Sequence, residues 1–397
     1  MNSRNKGFNY EMSPESELVL VIAKEMVYPH KDGCLPIISK RDIDWLKFKD
    51  SLVYHRLLPF AYISLKEYFY LLPEDFVRSL EANYYHSLRH ILHLEQRFLD
   101  LYSAFAKKGI VFIPIKGVAL LEDLYAHLPV RSSVDIDVLV KEEDVEEATV
   151  LLEGLGFKKE LGGFKESYWR ERNFHFAFVK KEADGFWLIV ELHWLLDYPR
   201  RIKLLSKIFK RLRKFKIQNI DIDLLSVEDT FFTLALHHRR PGIGLALRDV
   251  CDIAMLLNKY KFSFDWDYLL KESRKSELRS TVFFCLSQAR LLLGIDIPEY
   301  VWQGLGIAAW KRRMLRRFIE KNTFLPKTEA MSEYLFLKEH FMLYDNPRES
   351  IGYILNIPQE QFAKFYGLTA YGGKTNFLYH NRLFYMPFKA ACNLLKI

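Results

Sequence analysis

Two aspartates stand two residues apart in an otherwise apolar run, Val-Asp-Ile-Asp-Val-Leu-Val, at residues 134–140. If this run is a β-strand, its alternation sends Asp135 and Asp137 to one face and the apolar side chains, from Val134 to Val140, to a core-facing side. A strand rises about 3.3 Å per residue, so the two aspartates stand about 6.6 Å apart at the backbone. Neighbouring carboxylates repel each other unless a cation lies between them, and oxygen ligands suit Mg²⁺. We therefore predict a divalent-metal site.

A third carboxylate interrupts a second alternating run, Phe-Trp-Leu-Ile-Val-Glu-Leu-His-Trp, at residues 186–194. The apolar side chains of this run share one face, and Glu191 shares the opposite face with His193. A carboxylate in so apolar a strand costs free energy unless it is paired or binds a metal. We predict that Glu191 is the third metal ligand; the alternative is a buried salt bridge. His193 either orients Glu191, contacts substrate or has a structural role.

A positive cradle for a triphosphate is predicted at Lys116 and Gly117. A strand ends there, glycine lets the backbone approach a ligand closely, and the next helix offers free N–H groups to anionic oxygens. Arg131, four residues before Asp135, either reaches a phosphate or is an ordinary loop arginine. This set suits two-metal phosphoryl chemistry, in which ions about 3.5 to 4 Å apart clamp the attacking and leaving oxygens. The prediction requires the three carboxylates to meet on one side of a sheet, with no lysine or arginine buried among them.

A second Asp-x-Asp, at Asp221 and Asp223, provides an internal comparison. No Lys-Gly turn precedes it, and it leads directly to Ser226 and Asp229, which have the spacing of a helix-capping box. We predict a solvent-facing strand end here rather than a metal site.

Hydrophobic periodicity divides the chain into three regions. Before residue 109, apolar residues recur at helical spacing, as at Leu92, Leu94, Phe98, Leu101 and Phe105. Short apolar strands then alternate with helices, and helical spacing returns from Ser226. We predict an α+β fold, with a small β-sheet core at residues 109–225 between an N-terminal helical lobe at 1–108 and a C-terminal helical region at 226–397.

Composition limits the class of protein. The 397 residues are 50% hydrophobic and 15% aromatic, which predicts a compact chain with more than one subdomain. The longest apolar runs fall far short of the roughly 20 residues that cross a bilayer, and no secretory signal is evident, so we expect no transmembrane segment and a cytoplasmic location. Four scattered cysteines argue against disulfides or zinc. The net charge of +8 favours polyanionic partners and is compatible with nucleic-acid contact, although a solvated basic surface explains it equally well.

The chain resembles the bacterial "uncharacterised nucleotidyltransferase" family of the DNA polymerase beta-like superfamily. The residues that carry the resemblance are Lys116-Gly117, Tyr125, Arg131, the strand from Asp135 to Val140, and Glu191-Leu192-His193-Trp194. It covers roughly residues 44–257, including a later helix in which Arg248 and Asp252 have the i, i+4 spacing of an ion pair.

The resemblance implies a mixed sheet flanked by helices, Mg²⁺ or Mn²⁺, and transfer of a nucleoside monophosphate from an NTP such as ATP, with pyrophosphate leaving. It also implies that Asp135 and Asp137 bind both metals, and that Glu191 binds the catalytic metal and helps to deprotonate an acceptor hydroxyl. Val118 departs from the superfamily pattern, in which a Gly-Ser pair presents a hydroxyl to the phosphates. The acceptor stays open among small molecules, sugars, RNA and protein. The alternative function is a catalytically degenerate fold that serves as a nucleic-acid- or protein-binding module.

Overall fold

Helices surround a small mixed sheet in the computed structural model, which confirms the predicted α+β class. The structure describes residues 12–28, 33–40, 42–125, 130–131, 133–197, 205–239, 245–324, 342–346, 348, 357, 359–369 and 372–394.

Five helices precede the sheet. They are α1 (Pro14–Val27), α2 (Leu35–Lys40), α3 (Trp45–His55), α4 (Leu58–Leu65) and α5 (Glu74–Lys107), with a 3-10 turn at Lys66–Leu71. Ser13 and Asp44 cap α1 and α3 by accepting hydrogen bonds from backbone N–H groups of the first turn. The long α5 buries Leu94, Phe98, Leu101 and Phe105, whereas Leu92 is 58% exposed. All five residues lie on this helix, so the helical prediction for this segment is confirmed.

The main sheet has five strands in the order β1-β2-β5-β4-β3. They are β1 (Ile113–Pro114), β2 (Ile136–Leu139), β3 (Lys158–Glu160), β4 (His175–Lys181) and β5 (Trp187–His193). β2 and β5 are parallel, and the other neighbouring pairs are antiparallel. Three helices lie between the strands in sequence: α6 (Val118–Tyr125), α7 (Val145–Gly154) and α8 (Glu166–Arg172).

One face of this sheet packs on α5 and α7. The alternate residues of β2 and β5 predicted to be apolar and inward, from Ile136 to Val140 and from Leu188 to Trp194, are buried. Val134 is an exception: it is 64% exposed, because β2 begins only at Ile136. The strand prediction was thus correct in its alternation and wrong at its first residue.

A separate hairpin contains the second Asp-x-Asp. β6 (Arg213–Ile217) follows the short helix α9 (Leu205–Ile208) and pairs with β7 (Ile220–Leu224). Asp221 is exposed, and Asp223 forms an ion pair with the exposed Lys214 at 2.8 Å. The prediction of a solvent-facing strand end is confirmed. So is the helix start that follows, because Ser226 Oγ accepts a hydrogen bond from the backbone N–H of Asp229.

Most of the remaining described residues lie in helices. They are α10 (Val227–His238), α11 (Leu247–Lys259), α12 (Trp266–Lys275), α13 (Arg279–Leu293), α14 (Glu299–Leu305), α15 (Ala309–Asn322), α16 (Gln359–Phe365), α17 (Gly373–His380) and α18 (Arg382–Leu394). One hydrophobic core joins α1, α3 and α4 to α10, α11 and α13, and a second lies beneath the main sheet.

Three of the four cysteines lie in the buried core. Cys34, Cys251 and Cys285 are buried free thiols, and the side chain of Cys392 lies outside the described residues. Among the helices that the structure describes, none is both long and apolar enough to cross a membrane.

Candidate active site

The parallel pairing of β2 with β5 brings the predicted carboxylates together. Asp137 is the register partner of Glu191, so the two side chains emerge side by side from neighbouring strands. Asp135 lies immediately before β2 and points to the same side. Carboxylate oxygens of all three residues lie within 4.8 Å of one another. A set of hard oxygen donors so close together has the chemistry that Mg²⁺ or Mn²⁺ requires.

Lys116 lies nearer to this cluster than we predicted. Its Nζ is 2.7 Å from Asp137 Oδ1, and both side chains are buried. The predicted metal site required that no lysine be buried among the carboxylates, and this condition is not met at Asp137. Within the described residues, this ion pair involves Asp137 and neither Asp135 nor Glu191. A cation at Asp137 Oδ1 would therefore compete with the Lys116 ammonium for this oxygen.

The three carboxylates differ in their electrostatics. Burial, and after it the charges of Asp137 and Glu191, raise the pKa of Asp135 to about 6 against the opposing effect of Lys116. Burial also acts to raise the pKa of Asp137, but Lys116 and His193 outweigh it and hold that pKa well below its ordinary value. The hydrogen bond from His193 likewise lowers the pKa of Glu191 against the effect of burial. Asp135 is thus the carboxylate that would gain most from an added cation.

His193 links the two strands through its imidazole. Its Nε2 lies 3.3 Å from Asp137 Oδ1 and 3.2 Å from Glu191 Oε2, and the side chain is 1% exposed. Of the roles left open by the sequence, this geometry supports orientation of Glu191. His175, the register partner of His193 on β4, stacks against it with ring centroids 4.9 Å apart. The nitrogen atoms of both histidines and an oxygen of Glu191 form a second group with metal-ligand spacing.

Ser133 belongs to the site but was not among the predicted residues. Its hydroxyl lies 3.2 Å from Asp135 Oδ1 and from the Asp135 backbone oxygen. Gly117 has a φ of +60°, and a Cβ there would lie 3.2 Å from Ser133 Oγ and 3.3 Å from the Asp135 carbonyl oxygen. The turn after β1 is therefore pressed against the start of β2. The position of Ser133, two residues before Asp135, was the available signal.

Arg131 is held in a buried ion pair. Its Nε lies 2.9 and 3.0 Å from the two carboxylate oxygens of Asp252 on α11, and Tyr125 donates its hydroxyl to the same carboxylate at 2.6 Å. Arg248, which the sequence paired with Asp252, contacts Asp249 instead, at 2.7 Å. This geometry favours an arginine that anchors the loop before β2, and contact with a phosphate stays a prediction.

Comparison with known proteins matches the chain to one protein family. The family described as "Uncharacterised nucleotidyltransferase" matches residues 41–294, which is well over half of the chain and includes the whole carboxylate cluster. No curated protein and no solved structure matches the chain. The chain therefore belongs to this nucleotidyltransferase family.

Proposed function

We propose that the protein transfers a nucleoside monophosphate from an NTP to an acceptor hydroxyl, with release of pyrophosphate and with Mg²⁺ or Mn²⁺ as cofactor. The observation that carries the proposal is the convergence of Asp135, Asp137 and Glu191 from two parallel strands on one side of the sheet. Membership of a nucleotidyltransferase family supports the same reaction class. The acceptor is a small molecule, a sugar, RNA or protein.

The three carboxylates would hold the divalent cations, with Asp135 and Asp137 shared between two ions and Glu191 bound to one. When bound, such cations neutralise the triphosphate oxygens and the developing charge on the leaving pyrophosphate. Glu191 is also the candidate general base for the acceptor hydroxyl, because His193 fixes its orientation. Among the described residues, Asp135 forms no ion pair with a lysine, unlike Asp137. Its carboxylate can therefore bind a cation without displacing one.

Lys116 is proposed to move from Asp137 to the triphosphate. A lysine side chain is long and flexible, and its ammonium follows the nearest strong anion. With cations on Asp137, a triphosphate bound at the Gly117 turn would offer the ammonium another anionic partner. His193 would keep its contact with Glu191 within β5, so the site would exchange one ion pair and leave the orientation of Glu191 unchanged.

We also propose the wider organisation that the sequence predicted. Residues 109–225 form the catalytic core, and the helical regions at 1–108 and 226–397 flank it and hold the acceptor. The requirement for a nucleoside triphosphate favours a cytoplasmic location.

The test uses the two Asp-x-Asp motifs of the same chain. Purified protein is incubated with each labelled NTP, Mg²⁺ or Mn²⁺ and a cell extract, and pyrophosphate release and labelled acceptor are measured. The Asp135→Asn/Asp137→Asn variant should lose the activity, because its metal ligands are gone. The Asp221→Asn/Asp223→Asn variant removes the same charges from an exposed hairpin and should retain it. Equal activity of both variants would refute the proposal. An inactive wild type that binds nucleic acid tightly in EDTA would favour the binding-module alternative.

A further inference from the structure

A second concave site lies between α13, α14 and α15. The cavity has a volume of about 800 Å³. Five arginines line it: Arg290 on α13, and Arg312, Arg313, Arg316 and Arg317 on α15. The four on α15 lie beyond residue 294, where the match to the family ends. This cavity is therefore formed largely by residues outside the part of the chain that defines the nucleotidyltransferase.

The arginine charges in the cavity are poorly neutralised. In the described part of the chain, Arg290 alone has a carboxylate within 4.0 Å, that of Glu299 at 3.9 Å. Glu299 and Glu320 also line the cavity, so the arginines outnumber the carboxylates by five to two. Arg312 with Arg316, and Arg313 with Arg317, stand one helical turn apart, a spacing at which like charges destabilise a helix. An anion bound between them would remove this cost.

Two buried polar groups add hydrogen-bonding capacity to the lining. Ser287 is 1% exposed and Trp302 is 4% exposed, and both line the cavity. Ser287 Oγ and Trp302 Nε1 have no hydrogen-bond partner among the described residues. Buried polar groups are usually paired, so two unpaired groups beside five arginines indicate a ligand with several acceptor oxygens.

We propose that this cavity binds a small ligand carrying at least two phosphate groups. Guanidinium groups bind phosphate through paired N–H donors, and clustered arginines are the usual means of holding multiply phosphorylated ligands. The volume falls within the range of roughly 300 to 1,000 Å³ that is typical of small-molecule sites, which suits a ligand the size of a nucleotide.

An adjacent cavity provides a matched control. It has a volume of about 280 Å³ on the same helix and is lined by Trp310 and Lys321, and it shares Arg313 and Arg317 with the larger cavity. Arg312, Arg316, Ser287 and Trp302 line the larger cavity alone. A small ligand would depend on Arg312 and Arg316 and be insensitive to Lys321. A nucleic-acid strand laid along α15 would depend on all three.

The experiment measures binding of inorganic tripolyphosphate to the full chain by calorimetry in EDTA, where the metal-free carboxylates of the sheet repel the anion. The wild type should bind at one site. Arg312→Gln/Arg316→Gln should weaken binding by about tenfold or more, because each charged hydrogen bond lost costs about a factor of ten. Lys321→Gln should bind like the wild type. Neither variant should have a lower unfolding temperature than the wild type.

The proposal would be overturned if the wild type did not bind tripolyphosphate, or if the double variant bound it as tightly as the wild type does. It would also be overturned if Lys321→Gln weakened binding as much as the double variant does and the wild type bound a 20-nucleotide oligonucleotide more tightly than tripolyphosphate. The last result would assign the surface to nucleic acid. A loss of nucleotidyl transfer in the metal assay with intact tripolyphosphate binding would concern the carboxylate site alone, so the two proposals fail separately.

Discussion

Asp137 on β2 and Glu191 on β5 occupy matched positions of a parallel strand pair, and one imidazole, that of His193, contacts both carboxylates. Residues 54 positions apart in sequence thus form a rigid pair, because each is fixed by sheet hydrogen bonds rather than by a loop. Asp135 lies at the edge of this pair, just before β2, without a histidine contact of its own.

Asp135→Asn should stabilise the metal-free protein at neutral pH. The pKa of Asp135 is raised from 3.8 to about 6, so between these values the folded state holds the proton more tightly than the unfolded state. Wild-type stability therefore falls as pH rises through this window, and the whole cost is present above pH 6. Asparagine does not titrate, so the variant should be about 3 kcal/mol more stable at pH 7.5 and nearly equal at pH 4.

Urea unfolding in EDTA at several pH values measures this difference. Asp221→Asn, at an exposed aspartate, should change the free energy of unfolding by less than about 0.5 kcal/mol at every pH. An Asp135→Asn variant that is less stable than the wild type at pH 7.5 would show that the carboxylate repulsion is not significant.

Gly117→Ala should reduce activity more than its effect on stability explains. At φ +60° any side chain is strained, at a cost of about 1 to 2 kcal/mol, and the added Cβ would also press on Ser133 and on the Asp135 carbonyl. Displacement of the aspartate strand by a fraction of an ångström should lower the rate of nucleotidyl transfer by about 10- to 100-fold. Gly185→Ala is the matched control, because φ is +84° there and no atom lies within 4 Å of the added Cβ. It should lose similar stability and keep its activity; equal rates for the two variants would contradict the prediction.

Replacement of Arg131 would distinguish the two roles that the sequence left open for it, contact with a phosphate and an ordinary loop arginine. Both side chains are buried, so Arg131→Gln should destabilise the protein by about 3 to 5 kcal/mol, since it leaves the Asp252 carboxylate without its charge partner. Lys214→Gln, which breaks an exposed pair with Asp223, should cost no more than about 1 kcal/mol. Urea unfolding measures both. Unchanged stability with a raised KM for NTP would instead assign Arg131 to a phosphate.

The sequence predicted the faces of the strands but not which strands are neighbours. Alternation alone placed Glu191 and His193 on the polar side of β5. That β5 lies between β2 and β4 depends on pairing between distant segments, so the contact of His193 with Asp137 could not be read from spacing. Likewise, Arg131 pairs with Asp252, which lies 121 residues away on α11. Helical spacing had instead suggested Arg248 as the partner of Asp252.

Strand ends were the least predictable local feature. Val134 has the residue type of the buried face, but pairing with β5 begins at Ile136, and Val134 is 64% exposed. Ser133 was missed for the same reason, because its contact with Asp135 arises from the irregular backbone before the strand. Lys116 was correctly assigned to the neighbourhood of the site, but the sequence could not show that its ammonium pairs with an aspartate.

Lys116→Met provides the strictest test of the proposed site, because it should change two affinities in opposite directions. In the metal-free protein the ammonium neutralises Asp137, and a cation must compete with it. Removal of the lysine should therefore tighten binding of Mn²⁺ in the absence of nucleotide by about tenfold, as the loss of one competing charge-assisted hydrogen bond. With metal present, the same change removes a positive partner of the triphosphate and should weaken NTP binding by a similar factor. Calorimetry with Mn²⁺ alone and then with a non-hydrolysable NTP measures both, and Lys141→Met, at a half-exposed lysine that pairs with Glu143, is the control. If Lys116→Met weakens both ligands together, the ammonium is a structural element of the sheet, and the movement proposed for it does not occur.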